Sequence, residues 1–219
     1  MKPHCSHRRN HALTLTEVLV IIVILFLFFV LIDFGPPTSA KNKAMQIYCL
    51  NNLKQIGLAY KIRGGDSEPD LHLQISVTNG SVMELVQSGN AFASYIAMSN
   101  EIGSSKILVC PADTERSAST NFPQKLGRHN LSYFVGIDAK DTEPNSFLSG
   151  DDNLQIGGTP THSGLLEFST NAPIGWTQRH FLKGNIGLAD GSVQIVTSNY
   201  LHFNLLPQTG LATNHLAIP

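Results

Sequence analysis

Hydrophobic and polar positions divide this chain into an apolar N-terminal stretch and a mixed remainder. From Leu13 to Ile32 the residues LTLTEVLVIIVILFLFFVLI carry one charge, Glu17. A helix of ~20 residues rises about 30 Å, the thickness of a hydrocarbon core, so the run predicts a transmembrane helix over 13–32. Asp33-Phe34-Gly35-Pro36-Pro37 predicts a break near 33–39, because proline lacks an amide donor and clashes with the preceding turn. A second stripe follows. Met45, Cys49, Leu53, Ile56 and Tyr60 recur at spacings of three and four, which predicts an amphipathic helix over 40–63. Gly64-Gly65-Asp66 ends it.

Beyond residue 64 the period shortens. Leu71–Thr78 alternates strictly and predicts a half-buried strand stopped by Asn79-Gly80. Val82–Gln87 and Ala91–Asn100 read as helical. Lys106–Cys110 and Leu131–Ile137 read as strands, and Ser117–Arg128 and Asp138–Asn145 as loops. Asp190-Gly191 sits between two alternating arms within Gly184–Val196, a strong hairpin signal. From Ser198 onward no pattern is firm, although Leu201, Phe203, Leu205 and Leu206 are expected to dock. The organisation is therefore a leader (1–12), an N-terminal helix (13–63) and a globular head (64–219).

Composition adds limits. A net charge of -1 over 219 residues gives no electrostatic footprint for nucleic acid. The dense basic cluster, His7-Arg8-Arg9, lies ahead of the apolar run. That arrangement fits a secretory signal peptide, an uncleaved signal anchor, or a leader cut away in front of an apolar run that stays. There are 3 cysteines. Loss of the leader with Cys5 would leave Cys49 and Cys110, which an oxidising space would allow to bridge. Two buried free thiols are the other reading.

The sequence His11-Ala12-Leu13-Thr14-Leu15-Thr16-Glu17 resembles the N-terminal cleavage and methylation signal of type IV pilins and type II secretion pseudopilins. Counted from Leu13, Glu17 is the family's fifth-position acid. Ala12 stands where the family usually has Gly, and Leu13 where it usually has Phe. YCLNNLKQIGLAY, the CPAD segment at Cys110 and GNIGLADGSVQ resemble segments of prepilin-like proteins with large periplasmic heads. The resemblance implies an α+β fold in which a long transmembrane pilin-like stem packs on a head with an antiparallel β-sheet. It implies cleavage between Ala12 and Leu13 and N-methylation of Leu13 by a prepilin peptidase. It also implies a single pass through the bacterial inner membrane, with the N-terminus cytoplasmic and the head periplasmic. The partners would be the peptidase, other pilin or pseudopilin subunits and the inner membrane, with no nucleic acid, no cofactor and no catalysis by the chain itself. A buried carboxylate in a helical bundle needs a positive partner, and the α-ammonium of a cleaved neighbour would be that partner for Glu17. A Glu held at a helix start by the helix dipole is the plainer reading. The rival function is a membrane-anchored periplasmic binding module that does not polymerise.

Other chemistry is sparse. The 9 histidines include no HExxH pair, and no G-x-S-x-G elbow occurs. Asp151, Asp152 and Asp190 are the candidate calcium ligands, yet they lack the alternating acids of an EF-hand loop, so turn-stabilising roles are expected and no metal is assigned. Trp176 is either a core anchor or a contact for a neighbour.

Overall fold

The computed structural model describes residues 14–33, 38–65, 76–77 and 80–219, arranged as two compact units, 1–41 and 42–219. The first unit holds helix α1 (Leu15–Asp33), 19 residues long. Its start is set by a reciprocal cap. The Thr14 hydroxyl accepts the Glu17 amide at 3.3 Å, and the Glu17 carboxylate accepts the Thr14 amide and hydroxyl, each at 2.8 Å. This is the T-x-x-E capping box, which satisfies donors that a helix start leaves orphaned.

Two expectations are corrected here. The transmembrane stem and the single-pass inner-membrane placement do not hold: among the described residues no helix is long and apolar enough to cross a membrane. The physical reason lies in the first turn. Thr14, Thr16 and Glu17 make it polar, and the unbroken apolar stretch Val18–Ile32 rises only about 22 Å at about 1.5 Å per residue, against about 30 Å of hydrocarbon. The cleavage pair Ala12–Leu13, the break at Phe34–Pro37 and most of the Leu71–Thr78 strand lie outside the described residues.

The division between the units falls within α2 (Thr38–Gly64). Cys49, Leu53, Ile56 and Tyr60 are fully buried in the second unit, as the stripe requires, while Met45 is half-buried. The helix stops where Gly65 takes φ +56°, the left-handed conformation that glycine adopts without steric cost. Strands β1 (Ser76–Val77) and β2 (Gly80–Ser81) pair antiparallel. Short helices α3 (Val82–Gln87), α4 (Ala91–Ala97) and α5 (Ser99–Ile102) follow.

The main sheet is antiparallel throughout. Its strands are β3 (Tyr133–Gly136), β4 (Phe147–Asp151), β7 (Gly164–Ser169), β9 (Lys183–Leu188), β10 (Val193–Thr197) and β11 (Thr213–Ile218), in the order β10-β9-β4-β3-β11-β7. A smaller sheet joins β5 (Leu154–Ile156), β6 (Thr159–Pro160) and β8 (Ile174–Trp176) in the order β6-β5-β8. Side chains alternate across a strand, and both faces of the main sheet are covered. Tyr133, Val135, Leu148 and Ala217 join one core with α2, α3 and α4. Phe134, Phe147, Leu216 and Ile218 join another with Trp176, Leu201, Leu205 and Leu206. Glycine allows two close approaches. A Cβ on Gly136 would lie 1.6 Å from the Phe147 carbonyl oxygen, beside the irregularity in β4, and one on Gly184 would lie 2.4 Å from the Trp176 ring.

The Asp190-Gly191 hairpin forms as expected between β9 and β10. The segment at Lys106–Cys110 is not a strand. Ser105–Leu108 is a 3-10 turn started by the Ser104 hydroxyl, which accepts the Lys106 amide. After Ser198 come α6 (Ser198–Tyr200), a π-helical turn at Leu201–Leu205 and α7 (Leu206–Gln208), before β11 enters the sheet. Leu201, Leu205 and Leu206 dock, but Phe203 is 70% exposed.

Candidate functional site

The densest chemistry of the second unit gathers where α2, the CPAD turn, the end of β4 and the start of β9 meet. On α2, Cys49 faces inward with the apolar stripe. Cys110 opens the CPAD turn, closed by the Asp113 amide donating to the Cys110 carbonyl at 2.9 Å. The two cysteines are bridged, with Cα atoms 5.3 Å apart across a sequence separation of 61. His180 ends a 3-10 turn (Gln178–His180) and is followed by Phe181 and Leu182 at φ 55° and 58°. Two successive left-handed, non-glycine residues cost roughly 1–3 kcal/mol each, so the surrounding packing holds this corner in place. The imidazole Nε2 lies 3.3 Å from Cys110 Sγ and 3.7 Å from Asp151 Oδ2.

Asp151 closes β4 and is fully buried. Its Oδ2 accepts the Asn185 amide and the Asn185 side-chain Nδ2, both at 2.8 Å. The β4–β9 pairing supplies that partner. Oδ1 has no hydrogen-bond partner among the described residues. Burial pushes the Asp151 carboxyl up to about 7, although the Asn185 donors and the Arg179 charge pull it down. Burial, with Arg179 adding to it, pushes His180 down to about 4.

Next to this centre lies a compensated ionic quartet. Asp152 Oδ2 accepts from Arg116 and Oδ1 from Arg179. Arg179 also sits 3.1 Å from Asp113 Oδ2, which accepts the Ser132 hydroxyl at 2.9 Å. Two carboxylates and two guanidiniums share the cost of leaving water.

Comparison with known protein families, curated proteins and solved structures gives no match.

The calcium candidates do not converge. Asp151 is turned inward on Asn185, Asp152 is held by two arginines, and Asp190 Oδ1 accepts the Ser192 amide at 2.7 Å inside the hairpin turn. Trp176 is fully buried and serves the core. Sequence reasoning passed over His180, Asp113, Arg116, Arg179 and Asn185. The available signal was local: CPAD already places an acid three residues after a cysteine. The capping partner of Glu17 was also missed, although T-x-x-E is its usual signature.

A pH dependence follows for the bridged protein. Between about pH 4 and 7 the folded chain keeps a proton on Asp151 that the unfolded chain releases, so this group's contribution to stability falls as pH rises. His180 acts oppositely. The unfolded imidazole binds a proton below its ordinary 6.5 that the folded one refuses until about 4, so stability is lost as pH falls through that window. The two slopes oppose each other in wild type. Asp151→Asn removes the first, so its stability relative to wild type is expected to climb by a few kcal/mol from about pH 4 to 7. Urea unfolding of both chains across that range checks this; a pH-independent difference would mean the carboxylate is not penalised by burial.

Proposed function

We propose that the chain is a pilin- or pseudopilin-like filament subunit, cut by a prepilin peptidase between Ala12 and Leu13, and is that enzyme's substrate rather than an enzyme itself. One observation carries this reading: α1 presents apolar side chains to solvent all round, from Val18 at 43% to Phe29 at 69% exposure. A helix apolar on every face needs burial. Copies of the same helix, packed as a filament core, would supply it. Glu17 at the head of α1 would receive a neighbour's α-ammonium; both hydrogen bonds that its carboxylate accepts locally go to Oε2, which supports a role for Oε1 in that pairing.

A photo-crosslinker at Phe26, which is 67% exposed, tests this in the native protein. Chain-to-chain adducts through α1 are expected. Adducts confined to a single chain would remove the filament reading. One observation favours a binding module that does not polymerise. A polar cavity of about 440 Å³ lies between Arg116, Arg128, His129, His162 and the acids Glu115 and Asp152. Monomeric behaviour in the same experiment would favour that module.

A further inference from the structure

We propose that Cys49, Cys110, His180 and Asp151 form a redox-gated site for one borderline divalent transition-metal ion, Zn²⁺ by its donor chemistry, which opens when the Cys49–Cys110 bridge is reduced. The four donor atoms lie within 4.8 Å of one another and all four residues are buried. Two sulfurs, an imidazole and a carboxylate are a donor set that zinc favours. In tetrahedral zinc, bonds of about 2.0–2.3 Å place neighbouring donors roughly 3.3–3.8 Å apart. The imidazole already stands at such distances, 3.3 Å from Cys110 Sγ and 3.7 Å from Asp151 Oδ2. The two bonded sulfurs must separate, which reduction of their bond allows, and the remaining pairs start within 4.8 Å of one another.

The bridge alone does not account for its surroundings. A disulfide packs well against apolar groups. Here a carboxylate with 0% exposure and an imidazole with 4% are turned toward it, and Asp151 Oδ1 lacks any hydrogen-bond partner among the described residues. Burying such groups is expensive unless they are paired or bind a metal. An outer shell is also present. Asn185 fixes the carboxylate through two donors, as the groups behind metal ligands commonly do. The neighbouring quartet of Asp113, Asp152, Arg116 and Arg179 is internally neutralised, so Arg179 does not confront the ion with an uncompensated charge.

The chemistry balances with a dithiol reductant. Its two thiols pass two electrons and two protons to the Cys49–Cys110 bond and become a disulfide themselves. Zn²⁺ then displaces the two thiol protons to solvent. Oxidation runs the steps in reverse and expels the ion. None of this depends on the filament reading.

The test uses the full chain, reduced with a phosphine so that no exogenous thiol competes, then freed of reductant without oxygen and titrated with Co²⁺. One equivalent is expected to bind, with thiolate-to-cobalt charge transfer and tetrahedral d–d absorption, and Zn²⁺ should displace it. The bridged chain should show neither band. His180→Ala and Asp151→Asn should each weaken binding by about a hundred-fold or more, beyond the 10–100-fold typical of outer-shell changes. If reduction unfolds the chain, Zn²⁺ should restore its circular dichroism. The proposal is overturned by absence of binding to the reduced chain, by equal binding to the bridged chain, by unchanged affinity in both variants, or by an unfolded reduced chain that Zn²⁺ does not rescue.

Discussion

Glu17→Ala and Glu17→Gln chains are both expected to stay out of filaments while their second units remain folded. Both variants are needed because the proposed filament gives Glu17 a second job beside its observed cap. Three residues after Thr14 in the capping box, it accepts the Thr14 amide at 2.8 Å, and loss of such a cap costs about 0.5–2 kcal/mol of helix stability. Glutamine caps nearly as well, so Glu17→Gln retains that job and loses only the negative charge. A neighbour's α-ammonium left without its carboxylate inside a packed bundle costs about 3–5 kcal/mol per contact, which is a hundred-fold or greater loss of association at each interface, on the scale of about 1.4 kcal/mol per factor of ten. Sedimentation of assembled material from cells making each variant reads the outcome. If Glu17→Gln assembles like wild type, the acid is only a helix cap.

Cys49→Ala, Cys110→Ala and the double variant are each expected to lose about 4 kcal/mol of stability under oxidising, metal-free conditions. The bridge spans a sequence separation of 61, and closing a loop of that size in the unfolded chain corresponds to about 4 kcal/mol in the chain-entropy treatment. Both sulfurs lie in one core cluster with Leu53, Leu108 and Tyr133, so the bridge ties α2 to the sheet side of the unit. Removing either cysteine removes the whole bridge. The double variant should therefore be little worse than either single one, a strong departure from additivity. Urea unfolding would establish this, with a lower midpoint and a steeper slope, because the unfolded chain expands once its crosslink is gone. A loss below about 1 kcal/mol would mean the crosslink hardly constrains the unfolded chain.

What the chain's pattern revealed depended on how each element is buried. The α2 stripe was legible because one face of that helix packs and the other meets water, so Cys49, Leu53, Ile56 and Tyr60 stand out against their neighbours. The hairpin was legible because Asp190-Gly191 carries its own turn chemistry. β11 was not. It lies inside a sheet covered on both faces, with Leu216 and Ile218 in one core and Ala217 in the other, and such strands lose the apolar–polar alternation that marks a one-sided sheet. The short run Lys106–Cys110 illustrates the ambiguity of brief apolar segments, which fit a strand or a turn equally by period. The apolar stem is shorter than its hydropathy suggests because Thr14, Thr16 and Glu17 make its first turn polar.

For the buried centre, the cysteine count indicated the pair but not its company. Cys110 and His180 are separated by 70 residues and Asp151 and Asn185 by 34. Asp151 meets Asn185 because β4 pairs with β9 and places Gly150 opposite Ile186, while Cys110 and His180 come from turns outside those strands. No spacing rule along the chain anticipates that register, whereas the cap at Thr14 and Glu17 is local and could have been read directly.

The most direct measurement is the intact mass and N-terminal sequence of the protein taken from the cells that make it. The expected chain begins at Leu13 and carries one added methyl group on its α-amine. A native chain that still begins at Met1 would have no amine to meet Glu17 and would contradict the filament proposal.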